Sequence, residues 1–220
     1  IFGTEPTLNI EPGQNELAYS LLDLVVSSID KVLNQTTKNS FDIINETFGN
    51  FIRDNFRNNI EDAQYMTPSE VVNLACAIVI SDLSNEKIKG NLKVCDPCCG
   101  VGSFLSTFYN KSKIANELND CSIDLIGQDK VSRMVRLSKI NLYLFDNLSQ
   151  NIESGNSLVG NFFISKYKND IDIILTNPPF GAKFHSTELR ENLEFYPLLG
   201  DLISKNDLSI SSEILFVDRC

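Results

Sequence analysis

Between Leu92 and Leu175 short apolar runs alternate with longer amphipathic stretches, and the first run leads at once into Gly100 and Gly102. That alternation leaves few folds open. Leu92–Cys95, Ile123–Ile126 and Ile171–Leu175 are too short for helices and read as buried strands. The last is apolar except for Asp172, as expected when both sheet faces are covered. Helical spacing runs from Phe104 onward and over Val131–Phe145. Ile152–Glu153 is a weak third strand, and Phe162, Phe163 and Tyr167 lie on a further helix. Parallel strands joined by right-handed crossovers give an α/β, doubly wound sheet.

Before this pattern, Ile1–Gln14 is an irregular lead-in. From Asn15, helical spacing joins Leu17, Leu21, Leu24, Val25 and Ile29, and then Phe41, Ile44, Phe48, Phe51 and Phe56. The phenylalanines sit among Asp and Asn and form a packing face rather than a base-stacking platform. Thr67 caps the next helix, Pro68 takes its first position and Glu70 completes a capping box, with an end expected near Asp82. The expected domains are a helical region over 1–63 and a catalytic domain over 64–220. Ala182–Ser209, with scattered charges, Pro197 and Gly200, reads as a long active-site loop, and Ser212–Val217 begins another helix. A parallel sheet ending here exposes an edge, so the catalytic domain is expected to be incomplete at its C-terminal end.

With 42% apolar and 22% charged residues, 220 residues suffice for a full core. No run approaches the roughly 18 apolar residues of a membrane span, and no secretion signal opens the chain, which favours a cytoplasmic setting without membrane contact. Net charge is −10 and the pI about 4.6. A nucleic-acid surface spread over the whole chain is thereby disfavoured, while a small positive track or a DNA-holding partner is compatible. Cys95, Cys98 and Cys99 lack the second ligand pair of a structural zinc site, and Cys76, Cys121 and Cys220 are isolated, so buried free thiols are expected and no metal is assigned.

Asp96-Pro97-Cys98-Cys99-Gly100-Val101-Gly102 directly follows a strand. Gly100 permits a tight turn and Gly102 lets a ligand or a helix approach the backbone. Leu105 stands where a dinucleotide fingerprint needs its third glycine, and no lysine follows as in a nucleoside-triphosphate loop. Asp96 would repel a pyrophosphate yet suits a cationic amino group, which points to an amino-acid-bearing nucleoside such as S-adenosylmethionine. Asp129, in Gly127-Gln128-Asp129 at the end of the second strand, either accepts ribose hydroxyls or caps the segment from Lys130.

Asn177-Pro178-Pro179-Phe180 follows the last strand. Asn177 offers an amide oxygen and Pro178 a carbonyl to hold the hydrogens of an exocyclic amine, and Phe180 a flat face for an extruded base. Transfer from a sulfonium needs positioning more than a strong base. His185, the one histidine, is an exposed loop residue that touches substrate at most.

Together these segments resemble the N6-adenine DNA methyltransferases, specifically the modification subunit of type I restriction-modification systems. The family's Asp-Pro-x-Cys-Gly-x-Gly-x-Phe is met by Asp96, Pro97, Cys99, Gly100, Gly102 and Phe104. Its Gly-Gln-Glu is close to Gly127-Gln128-Asp129, its Asn-Pro-Pro-Phe-Gly matches Asn177–Gly181, and its Gln-Phe-x-Thr-Pro appears as Gln64-Tyr65-Met66-Thr67-Pro68. The resemblance implies a Rossmann-like core in gamma order that uses S-adenosylmethionine. Gln64, Tyr65, Met66 and Thr67 would close over its methionine part. Asp96, with Pro97, Gly100, Gly102, Ser103 and Phe104, would line its amino-acid end, Asp129 its ribose and Asn156 its adenine. Asn177, Pro178, Pro179 and Phe180 would be catalytic. Implied partners are double-stranded DNA, a specificity subunit, a restriction subunit and a second modification subunit. RNA bases, protein glutamine amides, or a non-catalytic assembly role are the alternatives.

Overall fold

In the computed structural model the described residues are 67–86, 90–114, 118, 121–144, 151–159 and 163–220, with Glu16, Tyr19, Ser20, Asp23, Leu24 and Ser27 of the N-terminal region, all six of them helical. The chain divides into two compact units, Ile1–Ala63 and Gln64–Cys220. The remaining helical expectations between Asn15 and Phe56, and Gln64, Tyr65, Met66 and Phe162, lie outside the described residues.

The second unit is built on a parallel sheet of β1 (Gly90–Asp96), β2 (Cys121–Asp129), β3 (Ile152–Ser154) and β4 (Ile173–Ile174), in the order β3-β2-β1-β4. β1 pairs with β2 from Gly90↔Cys121 to Asp96↔Gly127. Helix α1 (Ser69–Glu86) precedes the sheet, α2 (Ser103–Ile114) joins β1 to β2, and α3 (Ser132–Tyr143) joins β2 to β3. The crossover pattern read from the alternating apolar runs is the observed one. The ends of its two long strands are buried at Val94, Cys95, Leu125 and Ile126, as in a parallel sheet covered on both faces. Phe108 and Leu105 of α2 and Leu142 of α3 complete the core, joined by Val72, Cys76 and Ile80 of α1. Truncating a buried phenylalanine such as Phe108 would cost about 3–5 kcal/mol.

Three elements differ from expectation. α1 begins at Ser69 and runs to Glu86 rather than ending near Asp82. β4 is the shortest strand, although its sequence is the most strand-like. Its main-chain pairing to β1 extends from the Asp172 amide to the Leu175 amide, and the Asp172 carboxylate itself accepts from the Lys93 amide at 2.8 Å. A side chain thus takes a place in the ladder that a backbone carbonyl would fill. The helix expected around Phe163 and Tyr167 is a single 3-10 segment, Phe163–Tyr167.

The stretch from Ala182 is not a long loop. It forms β5 (Lys183–His185), α4 (Ser186–Leu189), a 3-10 segment (Arg190–Phe195), α5 (Gly200–Lys205), β6 (Ser209–Ser211) and α6 (Ser212–Arg219), with β5 and β6 antiparallel. Its apolar residues are spaced irregularly in sequence but converge. Leu158, Leu189, Tyr196, Ile203, Ile210, Leu215 and Phe216 make a second core. Tyr196 is buried and its hydroxyl donates to the Leu158 carbonyl, and Asp218 accepts from the amides of Leu198 and Leu199 at 2.8 and 3.0 Å. His185 belongs to this scaffold. Its ring caps α4, its amide donates to Glu188, and its Nε2 lies 3.5 Å from Asp207.

Candidate active site

The end of β1 carries a buried carboxylate. Asp96 is 2% exposed, and its Oδ1 accepts from the Thr176 hydroxyl at 2.7 Å and the Cys98 amide at 3.2 Å. Burial pushes its carboxyl from an ordinary 3.8 up to about 7. The two hydrogen bonds oppose that rise and the nearby Asp129 charge adds to it. A cation placed against Asp96 would remove most of this penalty, so the chemistry of the loop fits an ammonium group.

The glycines beside it do different jobs. Both have positive φ, 51° at Gly100 and 78° at Gly102. A Cβ at Gly102 would lie 2.4 Å from Ser138 Oγ, so there the missing side chain admits α3; at Gly100 a Cβ would meet nothing within 4 Å, which leaves room for a ligand. Ser103 opens α2 half-buried, whereas the Phe104 side chain lies in the sheet core. Pro97 is buried, and its carbonyl accepts from Ser157 Oγ.

Asp129 at the end of β2 ties two segments together. Its Oδ2 accepts from the Gly100 amide at 2.9 Å and its Oδ1 from the Val131 amide at 2.8 Å. The carboxylate thus closes a short turn at Val131 and holds the glycine loop, while helix α3 itself begins without a side-chain cap. Asn156 follows β3 and uses its Oδ1 to accept from the Leu158 amide at 2.9 Å, closing a local turn beside the strand end.

Cys98 and Cys99 are thiols in two settings. Burial raises both well above the ordinary thiol range, so they remain protonated. Cys99 packs over Gly127, where a Cβ would come within 3.2 Å of its sulfur. Cys98 Sγ lies 2.9 Å from Thr176 Oγ1 and donates to the Asn177 carbonyl at 3.4 Å. All six cysteines are free, and Cys98 acts as a small hydrogen-bonding link rather than a nucleophile.

Asn177 leaves β4 beside this link. Its Nδ2 donates to Thr67 Oγ1 at 3.0 Å, joining residues 110 apart in sequence. With the amide nitrogen so committed, the amide oxygen is oriented as the acceptor. Pro178 is half-buried, Pro179 and Phe180 are exposed, and the Phe180 side chain is 59% accessible at the tip of the motif. The structure thus gathers Thr67, Asp96, Gly100, Asp129 and Asn177 around the carboxyl ends of β1, β2 and β4, the place where open α/β sheets bind ligands. Thr176 and Cys98 were not foreseen as site residues. The available signal was polarity: a threonine directly after a buried strand and before Asn-Pro-Pro faces the same crevice as the motif.

Comparison with known proteins supports the fold. A structure described as a class I S-adenosylmethionine-dependent methyltransferase from Listeria monocytogenes superposes with a TM-score of 0.53 at 18% identity, over 94% of this chain and 64% of that one. A structure described as the modification subunit of a type I restriction enzyme from Vibrio vulnificus YJ016 gives 0.57 at 22% identity, over 83% of this chain and 35% of that one. Both likenesses are of fold. In sequence, the chain is 25% identical over 196 residues to the type II restriction enzyme and methyltransferase RM.BcgI of Heyndrickxia coagulans, covering 86% of this chain and 29% of that protein. The chain therefore spans under a third of the length of that curated relative. The model of the N-6 DNA methylase family matches residues 39–210, most of the sequence, and the chain belongs to that family.

Proposed function

We propose that this chain transfers a methyl group from S-adenosylmethionine to the N6 amine of adenine in double-stranded DNA, within a restriction-modification system. The observation that carries the reading is the Asn177 amide, turned by Thr67 so that its oxygen is the acceptor, one residue beyond a threonine bonded to the buried Asp96.

When bound, S-adenosylmethionine supplies an electrophilic methyl on a sulfonium. Asp96 faces its ammonium, the opening beside Gly100 takes its amino-acid end, with Pro97, Gly102 and Ser103 shaping the turn, and Asp129 and Asn156 serve ribose and adenine. Phe104 supports the loop from the core. Gln64, Tyr65 and Met66, next to Thr67 in sequence, belong to the proposed cofactor-binding set by resemblance of their motif. Asn177 Oδ1 and the Pro178 carbonyl accept the two hydrogens of the target amine, which directs the nitrogen lone pair outward, and Pro179 keeps the turn rigid. Phe180 stacks on the extruded base. Catalysis comes from positioning.

In this reading residues 64–220 are the catalytic domain and 1–63 a helical attachment. With a net charge of −10, much of the DNA affinity and target choice comes from elsewhere. A specificity subunit, a restriction subunit and a second copy of the modification subunit are the proposed company, in the cytoplasm.

The test supplies labelled S-adenosylmethionine and unmethylated host DNA to the full-length protein with its genomic neighbours. Label is expected on adenine N6. Asn177→Ala is expected to lower transfer by on the order of 100-fold or more while cofactor binding persists. Label confined to RNA or protein, or an inert wild-type complex, would overturn the assignment.

A further inference from the structure

The Asn-Pro-Pro-Phe-Gly turn is fastened on its far side by the start of α6. The Pro179 carbonyl accepts from Ser212 Oγ at 2.7 Å, and the Gly181 amide donates to Glu213 Oε1 at 2.8 Å. Those two groups flank Phe180. One residue on, the Ala182 carbonyl accepts from the Ser212 amide at 2.8 Å, and the chain continues into the β5–β6 pair. Ser212 is fully buried, and its hydroxyl lies 3.3 Å from Glu213 Oε2. Gly181 has φ +80° with open space where a Cβ would be, so its glycine serves the turn and not a packing contact.

We infer that Ser212 and Glu213 are positioning residues for Phe180, holding both peptide groups beside it so that an exposed ring keeps one direction. An aromatic at 59% exposure has few neighbours to orient it, so its backbone must do so. The Glu213 carboxyl is held below its ordinary range by the backbone amides it accepts, its own and that of Gly181, in keeping with an ionised acceptor at a helix start. No such role follows from the Asn-Pro-Pro-Phe segment itself, because the fastening residues lie about thirty positions downstream, as the Pro179–Ser212 separation of 33 shows.

The inference rests on the proposed base-stacking role of Phe180 for its catalytic consequence, but its geometry is testable without any methyl transfer. The chain has no tryptophan, so Phe180→Trp introduces a single reporter. Its fluorescence anisotropy is expected to fall when Glu213→Ala or Ser212→Ala is added and to recover with Glu213→Gln, which keeps an acceptor oxygen for the Gly181 amide. Thermal melts of the same variants check folding. Unchanged anisotropy in Glu213→Ala, or a Glu213→Gln protein as mobile as the alanine variant, overturns the inference. In the activity assay with unmethylated DNA, Glu213→Ala is expected to lose on the order of 10- to 100-fold in transfer with cofactor affinity unaltered. It should add nothing further in a Phe180→Ala background, and full additivity would also overturn the inference. Absence of transfer by the wild-type complex would instead defeat the functional reading, leaving the anisotropy result to decide the positioning role.

Discussion

Asp96→Asn should stabilise the ligand-free protein at pH 8 while weakening its hold on the cofactor. The carboxyl titrates at about 7 in the fold against an ordinary 3.8, so between these values the folded chain holds a proton that the unfolded chain has released. Folding stability then falls as pH rises through this window, the reverse of an ion-paired carboxylate, and levels off above it. At 1.36 kcal/mol per unit the accumulated penalty is about 4 kcal/mol. An asparagine carries no such charge, yet its amide oxygen still accepts from Thr176 and the Cys98 amide. The gap between variant and wild type should be small near pH 4, widen to pH 7 and stay constant to pH 8. For a unit of this size it corresponds to on the order of 10 °C in Tm at the upper end. Urea or thermal unfolding at pH 5, 6, 7 and 8 measures it. Binding of S-adenosylmethionine should drop in the variant, whereas 5′-methylthioadenosine, lacking the amino-acid part, should bind both proteins alike. A variant less stable than wild type at pH 8, or a gap that does not grow with pH, would refute the account of Asp96 as an uncompensated buried acid.

Gly102→Ala should lower stability by about 1–3 kcal/mol, read as a reduced Tm, because it combines positive φ with a collision at Ser138. Gly100→Ala has positive φ but open space, so about 1–2 kcal/mol of backbone cost is expected with a disproportionate loss of cofactor affinity by calorimetry. Tyr196→Phe leaves the buried Leu158 carbonyl without its hydroxyl donor and should cost about 1–3 kcal/mol, with hydrogen exchange rising in the second core before the sheet. Thr67→Val removes the acceptor for Asn177 Nδ2. Methyl transfer should fall up to about tenfold, the worth of one neutral hydrogen bond, with Thr67→Ser retaining activity.

The sheet was legible because its strands are nearly continuous apolar runs and its glycines stand where a strand hands over to a helix. Asp96, Gly100, Asp129 and Asn177 could each be read in the same way, since Asp96 and Asp129 end strands and Gly100 and Asn177 follow a strand within four residues. The second core could not. Leu158, Leu189, Tyr196 and Ile203 lie in short elements or the turns between them, with no sustained period, and only tertiary contact brings them together. Thr67 shows a related limit. Its capping signature was plain, but the helix starts at Ser69 and the hydroxyl is engaged by an amide 110 residues away, a partner that no local pattern encodes. Thr176 and Cys98 escaped notice for the opposite reason: they are ordinary residues whose role comes from lying between two motifs.

That intermediate position has a directional consequence. An ionised Asp96 can only accept, so the single hydrogen of Thr176 must go to its Oδ1 at 2.7 Å. Thr176 Oγ1 then meets Cys98 Sγ as an acceptor, and the thiol hydrogen is shared between that oxygen and the Asn177 carbonyl. The polarity of the chain from Asn177 through Cys98 and Thr176 is thus fixed by the charge state of Asp96. A protonated Asp96 is able to donate to Thr176 instead, which frees the hydroxyl hydrogen and removes the constraint on the thiol. A cation seated against Asp96 favours its ionised form and therefore the first arrangement, so on the proposed reading the carboxylate that would meet the cofactor's ammonium also sets the hydrogen-bond order at the backbone of Asn177. The Cys98 sulfur does not need to ionise for this. Burial, which holds the Cys98 thiol protonated, preserves the one hydrogen on which the link depends.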